Sequence, residues 1–69
     1  MSERRLITRR QAEAMSYLAA GLKRERVAEV MGISTWTLAS HVRHVYIKWH
    51  VHKMKDALAI WEDEKWRYK

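Results

Sequence analysis

GISTWTLASHVRHVYIKWHV, residues 32–51, decides how the rest of the chain is read. It opens on a glycine and a Ser-Thr pair, then runs on without Gly or Pro. A hydroxyl residue ahead of such a run is a helix N-cap, so Ser34 is expected to cap a helix from Thr35 to about Trp49. At 1.5 Å per residue that helix is about 22 Å long, enough to lie along a DNA groove. Leu38, Val42, Val45 and Trp49 recur at the spacing of one helical face. Trp36, Ser40 and Arg43 fall within a narrow arc on the opposite side, with Ala39 at its edge and Ile47 further along. The apolar face anchors the helix; the other face holds short residues, one long multidentate donor and an indole.

Residues just upstream explain what such a helix is for. Ala28, Gly32 and Leu38 are spaced as two steeply crossing helices joined by a tight turn require. A small residue at Ala28 lets the following helix approach. Gly32 supplies positive φ, and Leu38 inserts beneath the preceding helix. This is a helix-turn-helix arrangement, whose second helix enters the major groove.

The remaining elements follow from the same signals. Gly21 and Gly32 are the only glycines, there is no proline, and the apolar spacing of three and four predicts an all-α chain without repeats or linkers. Helix 1 is expected over about residues 8–20. Thr8 and Gln11 would form a capping box, Ala14 or Met15, Leu18 and Ala19 would face inward, and Gly21 would end the helix. Helix 2 is expected over about 24–31, with Val27, Ala28 and Met31 inward. Helix 4 is expected over about 53–66, with Met54, Ala57, Leu58 and Trp61 on one face.

Composition sets the bounds. The chain has 69 residues, which suits one small domain whose core is thin, since such a domain buries only about 60% of its unfolded surface. There is no cysteine to staple it or to build a Cys-type zinc site, and dimerisation is the remaining route to more buried surface. No apolar run approaches a membrane span, and the N-terminal MSERRLITRRQ lacks the apolar core of a signal peptide, so a cytoplasmic protein is expected. Fourteen Lys+Arg against eight Asp+Glu give a formal net charge of +6 and a pI near 10.1, which suits a polyanionic partner.

Candidate contacts follow. Arg43 can bond guanine O6 and N7 together, and Ser40 can bond several bases. Trp36 has three open roles: stacking on sugar, touching a thymine methyl, or packing on a protein. Its exposure argues against an ordinary solvated face. Arg9 and Arg10, Lys23 and Arg24, Thr37 and Lys48 are the candidate phosphate clamp, with free N–H groups at the start of helix 2 adding to it. The four histidines, His41, His44, His50 and His52, lack the cysteines or nearby carboxylates that a metal site needs; a mild pH-dependence of DNA affinity is the better reading. No nucleophile is paired with a base and no glycine loop cradles phosphate, so neither an enzyme nor a cofactor or small-molecule ligand is expected. In the tail IWEDEKWRYK, Trp61 packs inward or at a dimer interface, and Trp66 and Tyr68 extend that interface, meet a partner helix or fray. A homodimer is expected, since symmetric pairs are common and the core is thin.

Taken together, ITRRQAEAM, LAAG, RVAEVMGIS, TLASHVRHVYIKWHV and DAL resemble the LuxR/GerE-type helix-turn-helix domain of bacterial transcription regulators. Thr8, Arg10, Glu13, Ala19, Gly21, Ala28, Ile33, Ser34, Thr37, His41, Lys48, Val51 and Ala57 match its ordered pattern over about three-quarters of the chain. His41 favours this family over region four of sigma factors, which usually carries Arg there. The resemblance implies four helices, the third in the major groove and the fourth often forming a dimer across two half-sites. It implies base-reading positions at Ala39, Ser40 and Arg43, and backbone contacts at Thr37 and Lys48. Ala39 replaces the usual Lys, Gln11 the usual Glu, Trp49 the usual Leu, and Met54 the usual Arg; with Trp36 these departures point to an altered target or to a surface used for a protein. The chain leaves no room for the receiver or ligand-binding domain that usually precedes the module, so a stand-alone bacterial or phage regulator of double-stranded DNA is expected. It would be a dimer through helix 4, with Leu58, Trp61 and Trp66 at the interface. The alternative is an interaction protein that binds a full-length regulator or RNA polymerase. RNA binding is a weaker third reading, because no sheet offers a stacking platform.

Overall fold

The computed structural model describes residues 6–68; the first five residues of the charged N-terminal stretch, and Lys69, lie outside the described residues. Four helices follow in order, α1 (Arg9–Ala19), α2 (Arg24–Met31), α3 (Thr35–Trp49) and α4 (Met54–Glu64). A short 3-10 helix, Lys65–Tyr68, follows α4, and there is no strand among the described residues.

The local sequence accounts for each boundary. Thr8 caps α1 by the expected reciprocal pair: its hydroxyl accepts from Gln11 N–H at 3.1 Å, and its own N–H donates to Gln11 Oε1 at 3.0 Å. Ser34 caps α3, its Oγ accepting from Thr37 N–H at 3.0 Å. The C-terminal ends of the first three helices share one device. Gly21 (φ 94), Gly32 (φ 70) and His50 (φ 55) each adopt a left-handed conformation. The next residue then turns its N–H back toward the last turn: Leu22 to Tyr17 O, Ile33 to Ala28 O, and Val51 to Tyr46 O. In each case that next residue is apolar and half-buried against the core. This is the Schellman closure with its hydrophobic contact, which satisfies orphan carbonyls and docks the exit of the helix.

The core has two halves, and α3 supplies both. Leu38 and Val42 pack with Ala14, Val27, Ala28 and Met31 between α1, α2 and α3. Val45 and Trp49 pack with Ile7, Ala12, Met15, Ala57 and Trp61 between α1, α3 and α4. The inward face read for α3 is therefore the observed one, as is that of α2. In α1 the inward set differs: Ala12 is buried and Ala19 is exposed. Ala12 and Met15 pack in the cluster shared with α3 and α4, and Leu18 packs against both clusters.

The chain end departs most from expectation. The regular helix stops at Glu64, and the 3-10 turn folds Tyr68 back over the core. Tyr68 stacks on Trp61 with ring centroids 5.7 Å apart, and its hydroxyl accepts from Ile7 N–H at 2.9 Å. Glu64 is buried beside Arg67, with Arg67 Nε 2.7 Å from Glu64 Oε1. Tyr68 packs on the core of its own chain, and Trp61 beneath it is 5% exposed.

Arg10 also finds partners within the fold. Its guanidinium donates to Glu13 Oε1 at 2.9 Å and to Met31 O at 3.0 Å. Met31 is the last residue of α2, so Arg10 supplies a cation and a donor where the carbonyl end of that helix needs both. These bonds hold α1 against the turn that leads into α3.

Three outcomes follow. Nothing lies within 4 Å of a Cβ built at Gly32, so Gly32→Ala lowers stability through its backbone conformation alone. The expected loss in a urea melt is about 1–2 kcal/mol, while His50→Gly relieves the same strain and gains about 0.5–1 kcal/mol. Arg10→Gln loses about 0.5–1.5 kcal/mol in the same melt, a modest figure because the side chain is half open to solvent.

Candidate nucleic-acid interface

The four residues expected to read bases stand together. Trp36, Ala39, Ser40 and Arg43 are all exposed and line one shallow hollow of about 190 Å³. They do so because α3 is held from behind: Leu38, Val42, Val45 and Trp49 are between 1% and 6% exposed. At 100° per residue, burial of that face leaves the other turned outward. The indole of Trp36 is 83% exposed. Beside it, the short side chains of Ala39 and Ser40 leave the backbone of α3 open to close approach.

Charge on this helix has one sign. Arg43 and Lys48 are its cations, His41 and His44 add imidazoles, and Asp and Glu are absent from it. Lys48 lies in the last turn, where its charge also suits the carbonyl end of the helix. Thr37 is half-buried in the first turn. Its Oγ1 accepts from Ser34 Oγ at 3.0 Å, which leaves its own hydroxyl hydrogen to donate elsewhere.

The other expected phosphate residues are dispersed. Lys23 and Arg24 are exposed at the start of α2, whose N-cap, Lys23, makes no side-chain cap hydrogen bond; Glu25 in that first turn offsets part of the charge. Arg9 lies elsewhere: it lines a groove between α1, α4 and the 3-10 turn with Glu13, Ser16, Trp61 and Lys65, and is not brought to the strip on α3. Leu58 is half-buried against the core, and Trp66 is 56% exposed with Arg67 over its ring at 5.1 Å.

A second hollow, of about 410 Å³, continues from Arg43 past Tyr46 and Ile47 to His50, Val51 and His52. Helical periodicity alone puts Ile47 on this side but not the loop residues. The left-handed reversal at His50 swings them back beside α3, and a non-glycine helix end carries no sequence signal for that. Among the described residues no group of three or more His, Cys, Asp or Glu is placed to hold a metal ion, and no helix is long and apolar enough to cross a membrane.

Comparison with known proteins agrees with this geometry. The family model described as GerE, bacterial regulatory proteins of the luxR family, matches residues 5–60. No curated protein and no solved structure matches the chain. The matched segment takes in α1, the whole helix-turn-helix and most of α4; the 3-10 turn lies beyond it. The chain therefore belongs to the luxR family of bacterial regulatory proteins, and its four helices are the DNA-binding helix-turn-helix domain of that family.

Proposed function

We propose that this protein is a sequence-specific transcription regulator of bacterial or phage origin, acting in the cytoplasm on double-stranded DNA with α3 in the major groove. One observation carries the reading: a helix pinned along one face by four buried residues turns Trp36, Ala39, Ser40 and Arg43 outward together and bears no carboxylate. Arg43 reads a guanine through two hydrogen bonds and Ser40 an adjacent base. Thr37 and Lys48 hold phosphate at either end of α3, and Lys23 and Arg24 do so from α2. The excess of positive charge brings the protein to DNA and makes its binding depend on salt.

In this reading the protein is a homodimer through α4. The surface available for it is the exposed Trp66 with the half-buried Leu58, since Trp61 is taken up by the interior. A pair of half-sites related by two-fold symmetry is the matching target.

A second reading has one observation in its favour. Trp36 and Ile47 are the most exposed large apolar side chains among the described residues, and an anti-activator or co-regulator that binds a full-length regulator or RNA polymerase would present such groups.

A gel-shift titration across salt separates the two. DNA binding gives an affinity that falls steeply as salt rises, and binding that is absent at micromolar protein favours the protein partner. Arg43→Ala is expected to cost about 1–3 kcal/mol at one base pair and to relax specificity there. Lys48→Ala weakens all sequences alike and lowers the salt slope by about one. If Arg43→Ala also weakens all sequences alike, Arg43 holds phosphate and not a base.

A further inference from the structure

We infer that Trp36 is a specificity-determining residue: its indole, with the methyl of Ala39 beside it, reads the 5-methyl group of a thymine in the major groove, two to three base pairs from the guanine read by Arg43. The inference rests on the DNA-binding reading above and adds a second base to it.

The hollow on α3 has unlike ends. Along α3, Trp36 and Arg43 stand at its two ends, with the short Ala39 and Ser40 between them. A base-pair edge entering it meets an apolar surface on one side and a fork of N–H donors on the other. In the major groove only thymine presents a methyl group, and guanine presents the two acceptors that suit a guanidinium. The two ends therefore ask for different bases.

Spacing supports this. Trp36 and Arg43 are seven residues apart, about 10 Å along the helix axis. Side chains spaced this way on a groove-reading helix reach bases about two to three pairs apart.

Exposure selects Trp36 over the other apolar residues of the surface. At 83% it exceeds Ile47 at 62% and Trp66 at 56%, and it sits in the first turn of α3. A protein-docking anchor lies in a cluster of apolar side chains with a polar rim. The residues that share the hollow with Trp36 are Ala39, Ser40 and Arg43, and Ile47 lies eleven residues on, about 16 Å along the helix axis. A helix of wholly positive formal charge fits a nucleic acid better than an apolar protein groove.

The test uses the full chain and a duplex recovered from a random pool by the unaltered protein. Each thymine is replaced in turn by uracil, which removes the methyl group and keeps the hydrogen-bonding edge. The expected result is a loss of about fourfold in affinity at one thymine, the worth of one buried methyl group. That thymine lies two to three pairs from the base whose identity ceases to matter in Arg43→Ala. Trp36→Ala binds the thymine duplex with the same fourfold loss and no longer distinguishes thymine from uracil, while Trp36→Phe still does. Melting by circular dichroism at the temperature of the unaltered protein shows that Trp36→Ala is folded, as its exposure requires.

Salt-dependent DNA binding with every uracil neutral overturns the inference and leaves the DNA-binding reading in place. So does a thymine preference that survives in Trp36→Ala. Absence of salt-dependent binding overturns both and assigns the indole to a protein partner.

Discussion

The left-handed turn at Gly32 is the constraint on which this structure hangs. Its positive φ ends α2, lets the N–H of Ile33 reach back to Ala28 O, and turns the chain so that α3 starts three residues later. Open space surrounds the missing Cβ, so glycine stands there for the conformation and not for room. Once the direction of α3 is set, Leu38 lies under α2, Trp49 reaches α4, and the remaining face has no protein to meet. Arg10 reinforces this point from α1, bonding the carbonyl of Met31 one residue before the turn.

A domain of this size has little apolar surface to spare, and its interior shows how it manages. One helix serves two small clusters, so each residue on the inner face of α3 has a partner. The three Schellman closures add Leu22, Ile33 and Val51 to the margins of those clusters. The tail contributes Tyr68, whose ring covers Trp61 and whose hydroxyl satisfies the N–H of Ile7, itself buried and far away in sequence. The two ends of the described chain are thus joined over the α1–α4 face, without a disulfide.

Positive charge is shared between architecture and surface. Arg10 and Arg67 are held by protein groups, and Arg26 pairs with Glu29 along α2. The cations on α3 face no carboxylate of their own helix. The formal net charge therefore overstates how many side chains are placed for a polyanion, and understates how uniformly the groove-facing helix is biased toward one.

Helix boundaries from Arg24 to Trp49, both hydroxyl caps and the buried face of α3 were legible in the sequence, because capping, glycine reversal and helical periodicity are local and act over three or four residues. The same periodicity brought Trp36, Ser40 and Arg43 onto one strip. Other features required the fold. That Arg10 meets a carbonyl twenty-one residues away, that Arg9 faces another groove, and that Ala12 rather than Ala19 is enclosed depend on where neighbouring helices end. Tyr68 and Glu64 look like members of a solvated, charged tail, yet they are drawn inward because the α1–α4 face needs covering. Local chemistry decides which segments coil and which side is greasy; only packing decides which charged or aromatic group is spent inside and which is left to meet another molecule.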